Sequence, residues 1–327
     1  MGKGAIMEAR EKIHMKLSEF FEKAKTKDIV INTDIDGFLC GMILQKYYDC
    51  RVVGFSNSDD AIWLIPEIES IYKPVYIDIF VNKPEVFCID QHIVAYDKSY
   101  LKRIVAWGSK MNPNLDLIEK TYTDDYYHKY PFGTVHYLIA LMKLDGIDVA
   151  FNDLKKGYIV KGIDKKKYDI TPGQVILRAD DALYSSLGPY AENAKNWWSQ
   201  LKTFQSKTID DLYDYLYSTC KQSKNREYKD HIGQMFKRGL GCDGIDGAFD
   251  QVTDRQGKLL KRVADYNNII NTIIGIQMDL PQELKLYKGK PDRSAWSEEK
   301  QKKAVTYAFV LGPTKADKSF SFTIDIH

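Results

Sequence analysis

The sequence predicts an α/β protein, in which a parallel sheet flanked by helices is followed by a smaller C-terminal α+β domain. Short apolar runs, rich in β-branched and aromatic residues, recur at 28–32, 51–56, 75–80 and 86–90. Such runs are typical of strands that are buried on both faces of a parallel sheet. Helical or irregular segments separate these runs, and this alternation is the pattern of an α/β fold.

Two further segments predict what surrounds the sheet. Residues 5–25 have the apolar spacing of an amphipathic helix, with Ile13, Leu17 and Phe20 on one side. The connection at 97–130 is rich in Lys, Asn, Asp and Tyr, and we expect it to be a lid or an insertion.

The length of the chain predicts two domains. A chain of 327 residues exceeds the usual size of a single core. The composition changes after Asp181, so we expect an α/β domain at 1–190 and a helical plus β-hairpin domain at 191–327. The hairpin is predicted from two strand-like runs at 304–311 and 319–326, the second of which alternates strictly.

Composition limits the kinds of protein that the chain can be. A hydrophobic content of 44% with 28% charged residues is typical of a globular protein, and the net charge of +2 argues against binding polyanions over the whole surface. Five cysteines without a C-x-x-C pair suggest reduced thiols. There is no secretory apolar segment and no apolar run long enough for a membrane span, so we expect a cytoplasmic protein without membrane contact.

Two aspartates stand at the end of the first predicted strand. Asp34 and Asp36 follow the run Ile29–Ile31 and precede a segment with helical spacing. Open α/β sheets bind their ligands at the carboxyl ends of their strands. Asp is also a favoured helix N-cap, but a cap needs only one of the two carboxylates.

Acidic residues and a histidine also mark the third and fourth runs. Asp78 interrupts one of them, and Asp90 and His92 end the other. The carboxyl ends of parallel strands meet at one edge of a sheet, so these side chains can converge. Carboxylates together with an imidazole suit Mn or Mg better than thiophilic metals. We therefore predict a metal site at this edge.

These residues resemble the motifs of the DHH phosphoesterase superfamily. The matching residues are Asp34-x-Asp36-Gly37, then Asp78, then Asp90-Gln91-His92, with Asp180 or, failing that, Asp181 as the fourth motif. The segment 130–138 is similar to the turn that opens the connecting helix of this family. The resemblance covers roughly residues 28 to 190, somewhat over half of the chain.

The resemblance implies a metal-dependent phosphodiesterase. Its substrate would be single-stranded or short nucleic acid, or a nucleotide second messenger. Two Mn or Mg ions would activate water for attack on phosphorus, with Asp78 as the bridging ligand. The implied metal ligands are Asn32, Asp34, Asp36, Asp78, Gln91 and Asp180. The implied catalytic residues are Asp34, Asp36, Asp78 and His92. Residues implied to contact the substrate are His92, His128 and Arg178.

Two departures from the family pattern leave an alternative open. The family usually has Asp or His where this chain has Asn32, and a metal-binding His where it has Gln91. An amide oxygen binds hard cations but brings no charge. A catalytically degenerate protein that binds nucleic acid or a protein partner is therefore the second hypothesis. The oligomeric state is open under both hypotheses.

A third hypothesis rests on the first motif alone. Asp34-Ile35-Asp36-Gly37 is also similar to the nucleophile loop of haloacid dehalogenase-type phosphatases. That family has Thr or Val at the place of Phe38, and it does not account for Asp90-Gln91-His92.

Overall fold

The strands and helices are taken from a computed structural model, which describes residues 9–13, 15–124, 126–179, 191–220, 232–244, 247–311, 318–324 and 326. Twelve strands lie in these residues: β1 (Asp28–Asn32), β2 (Arg51–Ser56), β3 (Ala61–Leu64), β4 (Val75–Ile77), β5 (Cys88–Ile89), β6 (Lys110–Met111), β7 (Tyr158–Lys161), β8 (Lys167–Ile170), β9 (Lys285–Lys288), β10 (Lys290–Ser294), β11 (Ala304–Leu311) and β12 (Lys318–Ile324).

The α-helices of the described residues are short, and the longest have 14 residues. They are α1 (Ala9–Lys12), α2 (Leu17–Ala24), α3 (Ile35–Tyr48), α4 (Lys98–Val105), α5 (Pro113–Asp116), α6 (Thr134–Met142), α7 (Pro172–Arg178), α8 (Ala191–Lys202), α9 (Lys207–Tyr215), α10 (Lys261–Ile274) and α11 (Glu298–Lys303). Turns of 3-10 helix lie at Tyr126–His128 and Lys143–Asp145, and π-helical turns at Leu216–Cys220 and Met235–Gly239. No helix that the structure describes combines the length and apolar character that a bilayer span requires.

A seven-stranded sheet forms the centre of the fold, in the order β6-β5-β4-β1-β2-β3-β9. The five strands from β6 to β2 are parallel, while β3 and β9 are antiparallel to their neighbours. The predicted α/β fold with helices flanking a sheet is confirmed, but the sheet is only mostly parallel, since β3 and β9 run antiparallel to their neighbours. Strands β1 and β4 are buried along nearly their whole length, which explains their continuously apolar sequences.

The segment at 97–130 differs from the lid or insertion that the sequence predicts. It contains α4, the edge strand β6 and α5, so it is part of the α/β core. A strand of two residues is too short to show any periodicity, and its partner β5 is equally short.

Two smaller antiparallel sheets complete the described fold. The first, in the order β10-β12-β11, contains the predicted terminal hairpin, since β11 pairs with β12. The second is the β7–β8 hairpin, which the sequence reasoning did not predict.

The segment after residue 190 packs closely on the central sheet. Strand β9 extends the sheet beyond β3, and the Tyr266 ring packs edge-on against Phe38 of α3 at 5.1 Å. Trp197 and Trp198 of α8 are also buried, in the same apolar core as Phe38. The C-terminal segment therefore contributes to the core around the first helix of the sheet.

Candidate metal centre

The carboxyl ends of β1 and β4 define a crevice. Strand β1 lies between β2 and β4 and runs parallel to both; the chain continues from β1 to β2 on one side, and after β3 it returns to form β4 on the other side. In open α/β sheets such a reversal of strand order creates the ligand-binding crevice. The acidic residues singled out in the sequence lie at this place.

Asp34 begins helix α3. Its extended backbone and its side chain make it the N-cap, with Gly37 N donating to Oδ1 at 3.0 Å. Gly37 is required here because a Cβ atom would come within 2.3 Å of the Asn32 carbonyl oxygen. The cap anticipated from the sequence is therefore real, and the second carboxylate has a different environment.

Asp36 faces the first turn of α6 and is 2% exposed. Its two oxygens accept hydrogen bonds from the backbone N–H groups of Thr134 (2.6 Å) and Val135 (2.8 Å). A carboxylate is stabilised at a helix N-terminus by the unpaired N–H groups and by the helix dipole. The hydrogen bonds of Asp36 thus hold the first turn of α6 beside the crevice.

Asp78 follows β4 in a left-handed backbone conformation, with φ of 61°. Positive φ costs energy in a non-glycine residue and is frequent at functional sites. Its Oδ2 accepts a hydrogen bond from Asn32 Nδ2 at 2.9 Å, and its Oδ1 accepts one from Thr134 Oγ1 at 2.8 Å. Asn32 Nδ2 also donates to Asp34 Oδ2 at 3.1 Å, so the amide nitrogen lies between two carboxylates.

Asp90 and His92 follow β5 and lie beside Asp78. Ligand atoms of these three residues lie within 4.8 Å of one another, which makes them a group that could hold a metal ion. His92 Nδ1 is 2.7 Å from Asp90 Oδ1, and Asn112 Nδ2 donates to Asp90 Oδ2 at 3.3 Å. Asp78 and Asp90 are buried, whereas the His92 side chain is 31% exposed and marks the opening of the site.

Burial and mutual repulsion make the site electrostatically unusual. Burial raises the pKa of Asp78 well above its usual range, and the charges of Asp36 and Asp90 raise it further. Burial alone would lower the pKa of His92, but the Asp90 carboxylate raises it to about 9. The described part of the crevice therefore has an excess of carboxylates over positive charge.

The other residues predicted from the sequence lie in several places. Gln91 Nε2 is 3.3 Å from His92 Nε2, so the amide borders the metal-binding group. His128 is exposed in a 3-10 turn, and its carbonyl accepts a hydrogen bond from Trp197. Arg178 is buried at the end of α7. Asp180 and Asp181 lie outside the described residues.

Several residues of the crevice escaped the sequence reasoning as separate candidates. Thr134 contacts both Asp36 and Asp78, and the positive charge of Lys129 acts on His92. Thr134 lies in the segment 130–138, which is similar in sequence to a turn that opens a helix. The start of a helix at this place could have suggested Thr134 as a candidate. Nothing in the local sequence around Lys129 indicates its position.

A C-terminal segment covers the first acidic turn. Phe249 N donates to the Thr33 carbonyl oxygen at 3.2 Å, and a Cβ atom on Gly247 would lie 3.6 Å from Ile35 Cβ and 3.3 Å from the Tyr266 hydroxyl. That hydroxyl is buried and has no hydrogen-bond partner among the residues that the structure describes. The charge of Asp34 raises the pKa of Tyr266, in addition to burial, which is the larger cause.

Comparison of the chain with protein families, with characterised proteins and with solved structures found no match. The chemistry of the crevice therefore has to be inferred from its own residues.

Proposed function

We propose that this chain is a metal-dependent phosphodiesterase of the DHH type, acting on nucleic acid or a nucleotide. The observation that carries the proposal is the group formed by Asp78, Asp90 and His92, whose ligand atoms lie within 4.8 Å of one another. The group lies at the strand-order reversal of a mostly parallel sheet, where such folds bind ligands. The motif resemblance of the same residues supplies the reaction class.

The donor set fits a hard divalent ion. Two carboxylates with one imidazole suit Mn or Mg, and none of the three is a thiolate. Two like charges about 4 Å apart near a protein surface repel by about 4 kcal/mol, so a cation offsets a large cost among these carboxylates. Such an ion supplies Lewis-acid activation of water and stabilises charge that develops on phosphoryl oxygens.

The number of ions is a separate part of the proposal. Asp78, Asp90 and His92 would hold one ion. Asp34 would contribute to a second, but the Asn32 amide nitrogen now lies between Asp34 and Asp78. The Asn32 oxygen, which would have to serve as a ligand, accepts a hydrogen bond from Thr33 N at 2.8 Å. These contacts favour one firmly held ion over two.

The remaining residues of the crevice would position the substrate. Asp36 holds the start of α6, and through Thr134 this helix positions Asp78. Lys129, whose positive charge acts on His92, would offer that charge to a phosphate group. Arg178 is proposed as a further phosphate contact at the end of α7.

A binding protein without catalysis is the second candidate, and one observation favours it. The Asn32 amide donates to carboxylate oxygens of Asp34 and Asp78, and thereby replaces part of what a cation would do there. A crevice stabilised in this way could bind nucleic acid without hydrolysing it.

The haloacid dehalogenase-type hypothesis receives less support. In that mechanism the second aspartate acts as acid and base on the substrate. Asp36 is 2% exposed, and both of its oxygens accept backbone hydrogen bonds from α6. A residue so engaged is poorly placed for proton transfer.

Hydrolysis with and without Mn²⁺ tests the proposal. Labelled single-stranded DNA, short RNA and a cyclic dinucleotide are offered to the wild type, to Asp78→Asn and to Asp90→Asn. We expect Mn²⁺-dependent cleavage of at least one substrate, lost in EDTA and in both variants. Cleavage that survives in EDTA, or in Asp78→Asn, would refute the metal centre.

Asp145→Asn provides a matched control. Asp145 accepts hydrogen bonds from Ser18 and from Tyr48 at the far end of α3, so it also loses charge in a bonded site. Its activity should equal that of the wild type. Binding of single-stranded nucleic acid without cleavage of any substrate would favour the second candidate.

A further inference from the structure

The β7–β8 hairpin and the turn beside it carry a concentration of positive charge. We call this region the basic hairpin surface. Its eight basic side chains are all exposed: Lys155, Lys156, Lys161, Lys165, Lys166, Lys167, Lys237 and Arg238. Three acidic residues, Asp153, Asp164 and Asp169, lie in the hairpin segment 153–169. The surface therefore has an excess of five positive charges, whereas the whole chain has a net charge of +2.

Within the described residues the basic side chains of this surface are not held in salt bridges, although the charges of Lys166 and Arg238 act on Asp164. None of the eight basic side chains forms an ion pair with an acidic residue in the described part of the chain. Lysines on other surfaces do pair, as Lys261 with Asp265, Lys302 with Glu298 and Lys303 with Glu299. The hairpin surface therefore differs from these other surfaces in how its lysines are placed relative to acidic residues, and not in containing lysines.

The hairpin also places like charges opposite each other. Lys161 and Lys167 are direct partners in the β7–β8 register. Like charges in such a pair destabilise a sheet. Folding alone does not favour this arrangement, but an anion bound across the pair removes the repulsion.

Two apolar side chains stand among the lysines. Ile159 is 66% exposed and Ile163 is 72% exposed, which makes them the most exposed large apolar residues that the structure describes. Apolar side chains can pack against the faces of unpaired bases. In a duplex those faces are stacked and out of reach.

Two described parts of the chain between 238 and 249 contact the hairpin and the acidic turn. Ile163 N donates to the Arg238 carbonyl oxygen at 2.6 Å, and the Tyr168 ring lies against Gly239. A few residues further along the chain, Phe249 N donates to the Thr33 carbonyl oxygen, immediately before Asp34. The segment from Arg238 to Phe249 therefore contacts the hairpin at one end and the acidic turn at the other.

We propose that the basic hairpin surface binds the phosphate backbone of a single-stranded polynucleotide and guides it to the crevice. The location of cleavage rests on the proposed function, but binding by the hairpin does not. The natural substrate would then be a strand that reaches from the crevice to the hairpin, and not a mononucleotide or a cyclic dinucleotide.

Binding of labelled single strands in EDTA tests the hairpin without relying on the metal. Unstructured DNA and RNA of about 20 nucleotides, long enough to extend past one binding site, are titrated by fluorescence anisotropy at several salt concentrations. The variant carries Lys161→Gln, Lys165→Gln and Lys167→Gln. Loss of three phosphate contacts should flatten the slope of log K against log salt by about 2 and weaken binding at low salt at least tenfold.

A second triple variant controls for net charge. It carries Lys261→Gln, Lys302→Gln and Lys303→Gln, which remove the same charge from lysines that pair with acids. This variant should bind like the wild type. Equal losses in both variants, or tight binding to phosphatidylserine vesicles with none to oligonucleotides, would overturn the proposal. Unfolding midpoints of both variants, measured alongside, show that each protein is folded.

Hydrolysis separates this proposal from the function on which it partly rests. If the wild type binds strands through the hairpin but cleaves nothing, the proposed phosphodiesterase fails and the binding surface stands. If the wild type cleaves, the hairpin variant should lose activity on long strands but keep it on a dinucleotide. Equal activity of the hairpin variant and the wild type on long strands would refute guidance by the hairpin.

Discussion

The substitution Asn32→Asp tests how the crevice balances its charges. The Asn32 amide nitrogen donates to Asp34 Oδ2 at 3.1 Å and to Asp78 Oδ2 at 2.9 Å. A carboxylate at this position removes both donors and adds a third negative charge to the same place. It also restores the charged residue that the DHH pattern usually has there.

The expected cost in metal-free protein follows from these two contacts. A hydrogen bond to a charged group contributes about 1.5–3 kcal/mol, so the loss of both costs roughly 3–6 kcal/mol before repulsion is counted. Unfolding entropy is about 2.1 cal/mol/K per residue, so in a chain of 327 residues 1 kcal/mol corresponds to about 1.5 °C, and the unfolding midpoint in EDTA should fall by roughly 4–9 °C.

Mn²⁺ should reverse much of this loss. An ion present at about 100 times its Kd adds about 2.7 kcal/mol to the free energy of unfolding. If the new carboxylate strengthens binding tenfold, or about 1.4 kcal/mol, the Mn²⁺-induced rise of the midpoint should exceed that of the wild type by about 2 °C. The assay is thermal unfolding of both proteins in EDTA and in excess Mn²⁺.

Asn152→Asp is the matched control. Asn152 Nδ2 also donates two hydrogen bonds, but to the carbonyl oxygens of Thr272 and Ile273 at the end of α10. This variant loses the same kind of contacts without adding a metal ligand, so its response to Mn²⁺ should equal that of the wild type. If Asn32→Asp is as stable as the wild type in EDTA and responds no more strongly to Mn²⁺, the proposed role of Asn32 is wrong.

Three further predictions concern single residues around the crevice. In Gly133→Ala, a Cβ atom 2.7 Å from Asp36 Oδ2 displaces the carboxylate from α6. We expect the free energy of unfolding, measured in urea, to fall by about 3 kcal/mol. Unchanged stability would show that the contact between Asp36 and α6 contributes little. Burial lowers the pKa of His136 to about 3, so its neutral form stabilises the fold fully above about pH 6.5 and this contribution is lost as the pH falls toward 3. From about pH 7 to about pH 5 the wild type should therefore lose about 2 kcal/mol more than His136→Leu, and parallel pH profiles would contradict this. Tyr266→Phe removes a buried hydroxyl that has no partner in the described part of the chain, so its unfolding free energy should rise by about 1 kcal/mol, whereas a fall would reveal a contact of that hydroxyl in the folded protein.

The sheet could be predicted from the sequence where its strands were long. The β-branched run at 28–32 coincides with β1, and 51–56 coincides with β2. Strand β5 lies inside the predicted run at 86–90, whereas β6 has two residues, too few for a pattern, and is held in the sheet by β5, which is distant in sequence. The β7–β8 hairpin was also missed, because its lysine-rich sequence resembles an exposed loop.

The candidate site could be predicted in part for the same reason. Asp34, Asp78 and Asp90 each follow a buried strand, and the parallel sheet brings the ends of those strands together. The orientation of the Asn32 amide and the contact of Asp36 with α6 depend on how a distant helix packs against the crevice. No local pattern in the sequence contains that information.

Direct measurement of Mn²⁺ binding tests the central claim of a metal centre at the end of the sheet. In an electron paramagnetic resonance titration, protein-bound Mn²⁺ loses the sharp signal of the free ion. We expect the wild type and Asp145→Asn to bind Mn²⁺ equally, and Asp78→Asn and Asp90→Asn to lose this binding while remaining folded. Absence of binding in the wild type, or undiminished binding in both crevice variants, would contradict a metal centre formed by Asp78, Asp90 and His92.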